Sequence, residues 1–260
     1  MDDPVSLNRS VLAIAAHPDD IEFGMTGTLL RLIERGWEAY YFNIANGCCG
    51  SATLKPEACA ATRLDEAMRA AEMLPATFYP PIRNDLEVFY DHETHVEVAT
   101  VIRKARPSII LTHAMQDYME DHQNAARLAV GGAFVRSVPN FQCESPIYDA
   151  PVAIYHAQPH GNRDPMGQVV VPSHFVNTTE LMQRKRELLA CHESQAHWLD
   201  ETQGMGSYIE TMNGLGAEVG SMSQAFEYAE GWRKHLHLGF SQEGFDPLLS
   251  ELGETVLLRK

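Results

Sequence analysis

Several things are scarce in this sequence. No apolar run approaches the roughly 18 to 20 residues that a membrane span requires, and the N-terminal stretch MDDPVSLNRS is acidic and lacks the apolar segment of a leader. Basic charge is in deficit, with 20 Lys and Arg against 35 Asp and Glu and a formal charge of -15. That balance argues against non-specific attraction to nucleic acid or anionic lipid. The five cysteines (Cys48, Cys49, Cys59, Cys143, Cys191) form no C-x-x-C pair and no evenly spaced framework, which argues against a disulfide scaffold or a thiolate zinc knuckle. The dinucleotide fingerprint G-x-G-x-x-G is also absent. A cytoplasmic protein with reduced thiols is the expectation, and 260 residues suit one domain, spanning 1–260, with a sizeable core.

What is present alternates. Val11 to Ala16 is a short apolar run ending at His17-Pro18, followed by a loop and a helical pattern through Leu29, Leu30, Leu32 and Ile33. Trp37 to Ala45 reads as a second strand, Pro56 to Leu74 as a helix, Glu93 to Lys104 as another, and Ser108 to Thr112 as a buried strand. A helix from about Asp121 to Val135, a surface excursion from Ser137 to Pro151 and a strand from Val152 to His156 follow. Val169 to Val171 is expected to pair nearby, and Glu180 to Ala190 to be helical, while 203–220 gives no firm reading. The β/α alternation predicts an α/β, Rossmann-like three-layer fold with a mostly parallel central sheet. Ligands in such folds sit beyond the carboxyl ends of the strands, so His17 to Asp20, Asn46-Gly47 and the segment from His113 should converge on one crevice.

His17, Asp19 and Asp20 place one imidazole and two carboxylates on a proline-fixed turn. A catalytic zinc takes three protein ligands of this type and leaves a fourth position for water, whose pKa falls to about 7. Two ligands and a spare carboxylate, suited to general base, are thus at hand. The four residues alone serve equally as a polar turn with Asp20 capping the next helix.

The longer string AIAAHPDDIEFGMTGTLLRL closely resembles the signature of the LmbE/PIG-L family of zinc-dependent N-acetylglucosaminyl deacetylases, especially its bacillithiol-biosynthesis-like branch with Asp-Asp-x-Glu and a Gly-x-x-Gly-Thr helix entry. Asn46-Gly47, TRLDEAMRAAEML, SIILTHAMQDYMEDHQNA and KRELLACHESQ extend the resemblance over roughly Val11 to Gln195. It implies an LmbE-like fold, His17 and Asp20 as metal ligands, Asp19 as general base, and His122 of Asp121-His122 as third ligand, with Asp121 placed to orient the His122 imidazole. The metal implied is zinc, or another divalent transition metal. The reaction implied is removal of an N-acetyl group from an N-acetylglucosamine-type sugar or sugar conjugate.

The resemblance is incomplete at Met119, where many members carry a histidine that serves the oxyanion or the leaving amine. His113 and His192 are the candidate replacements; a strand-end packing role and a helix-end role are their respective alternatives. Arg63 matches a substrate-holding arginine, or else pairs with Glu66; Asp85 matches an acidic residue that contacts sugar hydroxyls, or else serves its turn. Gly24 and Gly27 at a helix entry also fit a phosphate loop. His235-Leu236-His237 has chelating spacing on a strand, but without a third partner no zinc is assigned to it. The partner expected is a small N-acetylated sugar or glycoconjugate, with no nucleic acid and no membrane insertion; a homo-oligomer fits equally. Rival functions are an amidase for a larger thiol-sugar conjugate and a non-catalytic carbohydrate-binding relative.

Overall fold

The computed structural model describes residues 7–195 and 208–259. Strand β1 (Ser10–Ala15) is buried at every position, as a strand covered on both faces must be. Its side chains alternate between two apolar clusters. Val11, Ala13 and Ala15 join Leu29, Leu32, Ala67 and Ala71, whereas Leu12 and Ile14 join Val98, Ile102, Ala125 and Leu128. The first cluster lies under helices α2 (Thr26–Glu34) and α3 (Pro56–Met73), the second under α4 (His92–Ala105) and α5 (Glu120–Val135). The short helix α1 (Asp20–Gly24) links β1 to α2.

Strands β2 (Glu38–Asn43), β3 (Ala76–Tyr79), β4 (Ile109–Thr112) and β5 (Ala153–Ala157) complete a parallel block in the order β3-β2-β1-β4-β5. The direction of winding reverses between β1 and β4, which pair from Val11↔Ile109 to Ile14↔Thr112. A crevice therefore opens beyond their carboxyl ends, where the chain continues into His17 and His113. The predicted α/β three-layer fold with a mostly parallel sheet is the fold observed.

Beyond β5 the sheet changes character. β6 (His174–Asn177), β7 (Ala229–Lys234) and β8 (Val256–Leu258) extend it in the order β5-β7-β6-β8 with antiparallel pairing. Helices α6 (Met182–Leu189) and α7 (Tyr208–Ser223) pack near this part, and α8 (Pro247–Leu252) begins at Asp246, whose carboxylate caps the Leu249 N–H at 3.2 Å. Helix α6 is shorter than the expected 180–190 because its first residues form a 3-10 turn. Val169 makes only an isolated bridge, with Arg163. His235 and His237 follow the end of β7 rather than sitting on a strand, so the alternate-residue spacing does not set them on one face. The uncertain stretch 203–220 is helical from Tyr208, its first five residues lying outside the described residues.

The Gly-x-x-Gly entry has a packing reason. Glu230 of β7 places its carboxylate on the start of α2, accepting from the Gly27 N–H at 2.8 Å, the Thr28 N–H at 2.7 Å and the Thr28 hydroxyl at 2.7 Å. A Cβ at Gly27 would lie 2.9 Å from Glu230 Oε1 and 2.4 Å from Thr178 Cγ2. The helix dipole and free N–H groups are thus satisfied by a carboxylate of the chain itself, and no phosphate loop remains. Lys185 closes the arrangement with a buried ion pair to Glu230.

Candidate metal centre and active site

The turn after β1 is strained where the chemistry concentrates. Asp19 is held at φ 106, a left-handed conformation costly for a non-glycine residue. The strain turns its carboxylate toward Arg63 and Tyr208, while Asp20, the first residue of α1, folds back so that Oδ2 accepts the His17 N–H at 2.7 Å. Asp20 therefore does not serve as a helix cap.

Three donor groups meet at this point: His17, Asp20 and His122 each offer an atom within 4.8 Å of the others. Asp20 Oδ2 lies 3.4 Å from His17 Nδ1, and Oδ1 lies 3.4 Å from His122 Nε2. The outward nitrogens of both rings are held by carboxylates. His17 Nε2 meets Asp121 Oδ2 at 3.0 Å, and His122 Nδ1 meets Asp117 Oδ1 at 3.0 Å. Asp121 thus orients His17, not His122 as expected, because its position at the start of α5 points it across to the β1 turn; Asp117 takes the His122 role. This is the carboxylate–histidine pairing that fixes tautomer and basicity at metal sites.

The electrostatics suit a cation. Burial pulls His17 down, yet the bonds to Asp121 and Asp20 outweigh it and raise its pKa to about 10. Burial likewise opposes the charge on His122, but Asp20 and Asp117 hold it above its ordinary value. Burial raises Asp20, and His122, His113 and His17 together bring it well below the carboxylate range. Left to itself, the cluster of carboxylates recruits protons onto its imidazoles. A divalent cation could replace those protons, since metal ligands must be deprotonated, and His2Asp is a donor set that zinc accepts.

His113 stacks on His122 with ring centres 4.1 Å apart, and its Nε2 accepts the Ala16 N–H at 2.9 Å and lies 3.2 Å from Asp20 Oδ2. Asp19 is gripped at both oxygens, by Arg63 Nη2 at 3.2 Å on Oδ1 and by the Tyr208 hydroxyl at 2.6 Å on Oδ2. Burial nonetheless raises its pKa, against the pull of Arg63. Arg63 is itself buried, reaching back to the Pro18 carbonyl, and passes close under Gly47, where a Cβ would lie 2.6 Å from Arg63 Cδ and the backbone is at φ +80. Its partner is Asp19 and not Glu66, whose carboxylate instead accepts from Ser194 at 2.9 and 2.7 Å. Asp85 lines the same cavity, but its oxygens accept the Gly47 and Cys49 N–H groups at 2.6 and 2.9 Å.

These residues floor a cavity of about 390 Å³. His17, Asp19, Asp20, Arg63, Asp85, His113 and His122 all line it; His192 does not. His192 is wholly buried behind Asp19, paired with Glu22 at 3.1 Å, so the expectation that it approaches the crevice is corrected. Its ring is fixed by an acid that itself binds the Tyr41 hydroxyl at 3.1 Å. The residues that sequence reasoning overlooked are Asp117, Tyr118, His160 and Tyr208. Asp117 and Tyr118 lie inside a segment already singled out, five and four residues before His122, but no spacing rule distinguishes them. His160 and Tyr208 come from loop and helix starts far along the chain. The His160 N–H donates to Asp117 Oδ2 at 3.2 Å, and its ring lies 5.6 Å from Tyr118 and 5.3 Å from Phe23.

Comparison with known proteins agrees with this geometry. The family model PIG-L, GlcNAc-PI de-N-acetylase, matches residues 12–131. The diacetylchitobiose deacetylase of Thermococcus kodakarensis is 29% identical over 241 residues, covering 90% of this chain and 85% of the relative. The 4-oxalmesaconate hydratase of Pseudomonas putida is 28% identical over 197 residues, covering 73% and 75%. Among solved structures, the N,N'-diacetylchitobiose deacetylase of Pyrococcus horikoshii superposes with a TM-score of 0.75 at 24% identity, covering 92% of this chain and 88% of that one, which shows the fold. By its signature residues, the sheet that presents them and the family model that fits residues 12–131, the chain is similar to the PIG-L, LmbE-like family.

Proposed function

We propose that the protein is a zinc-dependent N-deacetylase acting on a neutral N-acetylated amino sugar or its conjugate. The observation that carries this reading is a metal-donor triad floored beside a buried carboxylate, Asp19, in a cavity whose walls are acidic. His17, Asp20 and His122 would hold the metal. When bound, such a metal polarises an amide carbonyl and eases deprotonation of water. Asp19, raised in pKa by burial, takes the proton of the water that adds to the amide carbon. The neutral Tyr208 phenol and Arg63 keep its two oxygens in place. The same proton then passes to the departing nitrogen, so acetate and a free amine leave.

Met119 lines the cavity where the family histidine would stand and supplies no donor. His160 and Tyr118, which line the cavity beside His122, are the groups able to donate to the oxyanion or the amine, whereas His113 Nε2 is taken up in accepting the Ala16 N–H. His192, paired with Glu22 and close enough to Asp19 to favour its charge, serves as a positioning residue behind the site. Arg63 serves by holding Asp19, and Asp85 by fixing the 47–49 loop that borders the sugar. The five free thiols suit a reducing cytoplasm, and no described helix is long and apolar enough to cross a membrane.

A hydratase reading has the Pseudomonas relative in its favour, and a metal with a base serves hydration too. Charge favours the deacetylase. Among the described lining residues Asp19, Asp20, Asp85, Asp117 and Glu230 face two Arg and Lys side chains, Arg63 and Lys185, and both of those are already paired, with Asp19 and Glu230. Apart from the proposed metal itself, a carboxylate-bearing substrate of the kind that relative's name denotes finds no free Arg or Lys there, whereas an uncharged acetamido sugar meets no repulsion from the carboxylates. The test is acetate release by zinc-loaded protein from N-acetylglucosamine, N,N'-diacetylchitobiose and thiol-sugar conjugates, run beside hydration of unsaturated carboxylates. Acetate release lost in Asp19→Asn supports the proposal. Turnover confined to the carboxylates sinks it, and sugar binding with neither reaction and no stoichiometric zinc establishes a binding protein instead.

A further inference from the structure

A second cavity, of about 540 Å³, lies on the other side of the segment that carries Asp117 and His122. Its lining inverts the chemistry of the first. Arg127 of α5, Arg233 and Lys234 of β7, His156 of β5 and His235 contribute, and no Asp or Glu is among the described residues around it. Such a concentration of cationic side chains is unexpected in a chain of net charge -15.

Their bonding shows which of them remain free. The Lys234 ammonium is turned away to the Phe245 carbonyl and to Asp246 at 3.5 Å. His156 and His235 satisfy one another: His156 Nδ1 donates to the His113 carbonyl at 2.8 Å, and its Nε2 accepts from His235 Nδ1 at 2.9 Å. The side chains of Arg127 and Arg233 have no ion pair or hydrogen bond among the described residues, and the Arg233 Nε is buried with no partner at all. Arg233 lies directly across from His156 in the β5–β7 ladder, so strand pairing fixes its position rather than a flexible loop. An unpaired guanidinium with a buried N–H is costly unless something accepts from it.

From this we infer that the cavity is a binding site for a small oxyanion, a carboxylate or a phosphate, held by the forked donors of Arg127 and Arg233. Guanidinium groups match both oxyanions in bidentate geometry, and the neutral amides of Gln116 and Gln123 line the same space. The bound anion would lie beside the metal centre without entering it: Gln123 Nε2 also donates to the Asp117 carbonyl at 2.7 Å.

The experiment is calorimetric titration of the zinc-loaded full chain with inorganic phosphate and, separately, with acetate, on wild type, Arg127→Gln, Arg233→Gln and His17→Ala. Saturable binding that each arginine substitution weakens about tenfold or more and that His17→Ala leaves intact is the expected result; the tighter of the two anions names the source. Arg127 is exposed, so its variant remains informative should Arg233→Gln misfold. Binding unaffected by Arg127→Gln, binding lost in His17→Ala, no saturation with either anion, or a changed assembly mass in Arg127→Gln would overturn it, the last by showing the arginine engaged with a second copy.

Discussion

The two parts of the sheet do different work. The parallel block, β1 to β5, carries the candidate metal donors and Asp19 on segments that leave strand ends, and all of the matched family pattern falls within residues 12–131. The antiparallel strands and their helices supply the opposite wall: Lys185, Tyr208 and Glu230 come from α6, α7 and β7. Relatives named for deacetylation and for hydration both align with this chain. The difference teaches that one block gathers the candidate metal donors at neighbouring strand ends, while the other closes the same cavity from the far side with Lys185, Tyr208 and Glu230. Glu230 also joins the two, since it caps α2 from β7.

The comparison is broken most severely at Asp19. Asp19→Asn keeps the partners' geometry but removes the proton acceptor, and acetate release is expected to fall about 10³-fold or more, with zinc content by metal analysis unchanged. Loss of zinc together with activity would place Asp19 among the ligands instead. Next in size is the seam between the halves. Lys185→Met leaves the buried Glu230 without its cation, and loss of one partner from such a pair costs about 3 kcal/mol; urea unfolding measures it. An unchanged midpoint would show that the α2 N–H groups alone suffice to hold the carboxylate.

The same division decides how much could be read from sequence. β1, β2 and β4 are apolar runs ended by polar turns, and α3, α4 and α5 have clear one-sided periodicity, so their order predicts the crevice. His17, Asp20 and His122 could be found because they occupy two short segments at neighbouring strand ends. β7 could not: Ala-Glu-Gly-Trp-Arg-Lys has no apolar alternation, because its buried Glu230 faces a helix terminus and its Arg233 faces a cavity. The His192 segment reads as a crevice motif, and only coordinates show the ring paired with buried Glu22 and outside the cavity lining. Asp117, His160 and Tyr208 meet through tertiary contacts that no local pattern marks.

A smaller effect sharpens the role of the carboxylates behind the ligands. Asp117 binds His122 Nδ1 and the Met119 and His160 N–H groups. Asp117→Asn should weaken zinc about 10- to 100-fold by competition with a chelator, while Asp19-dependent turnover persists at saturating zinc. If zinc affinity is unmoved, the His122 tautomer is set by other contacts.

The smallest effect tests the border between the two blocks, where His156 of β5 faces Arg233 of β7. Burial lowers the His156 pKa to about 4, despite the His113 carbonyl, against about 6.5 in an unfolded chain. Between these values the unfolded state binds the extra proton, so stability is greatest above about pH 6.5 and declines as pH falls toward 4, with a slope of at most about 1.4 kcal/mol per pH unit. His235, also lowered by burial, adds in the same direction. His156→Gln should flatten that part of the profile in urea unfolding across pH 4 to 7. A profile as steep in the variant as in wild type would mean that the buried imidazole is not what the acid attacks, and that other buried histidines dominate instead.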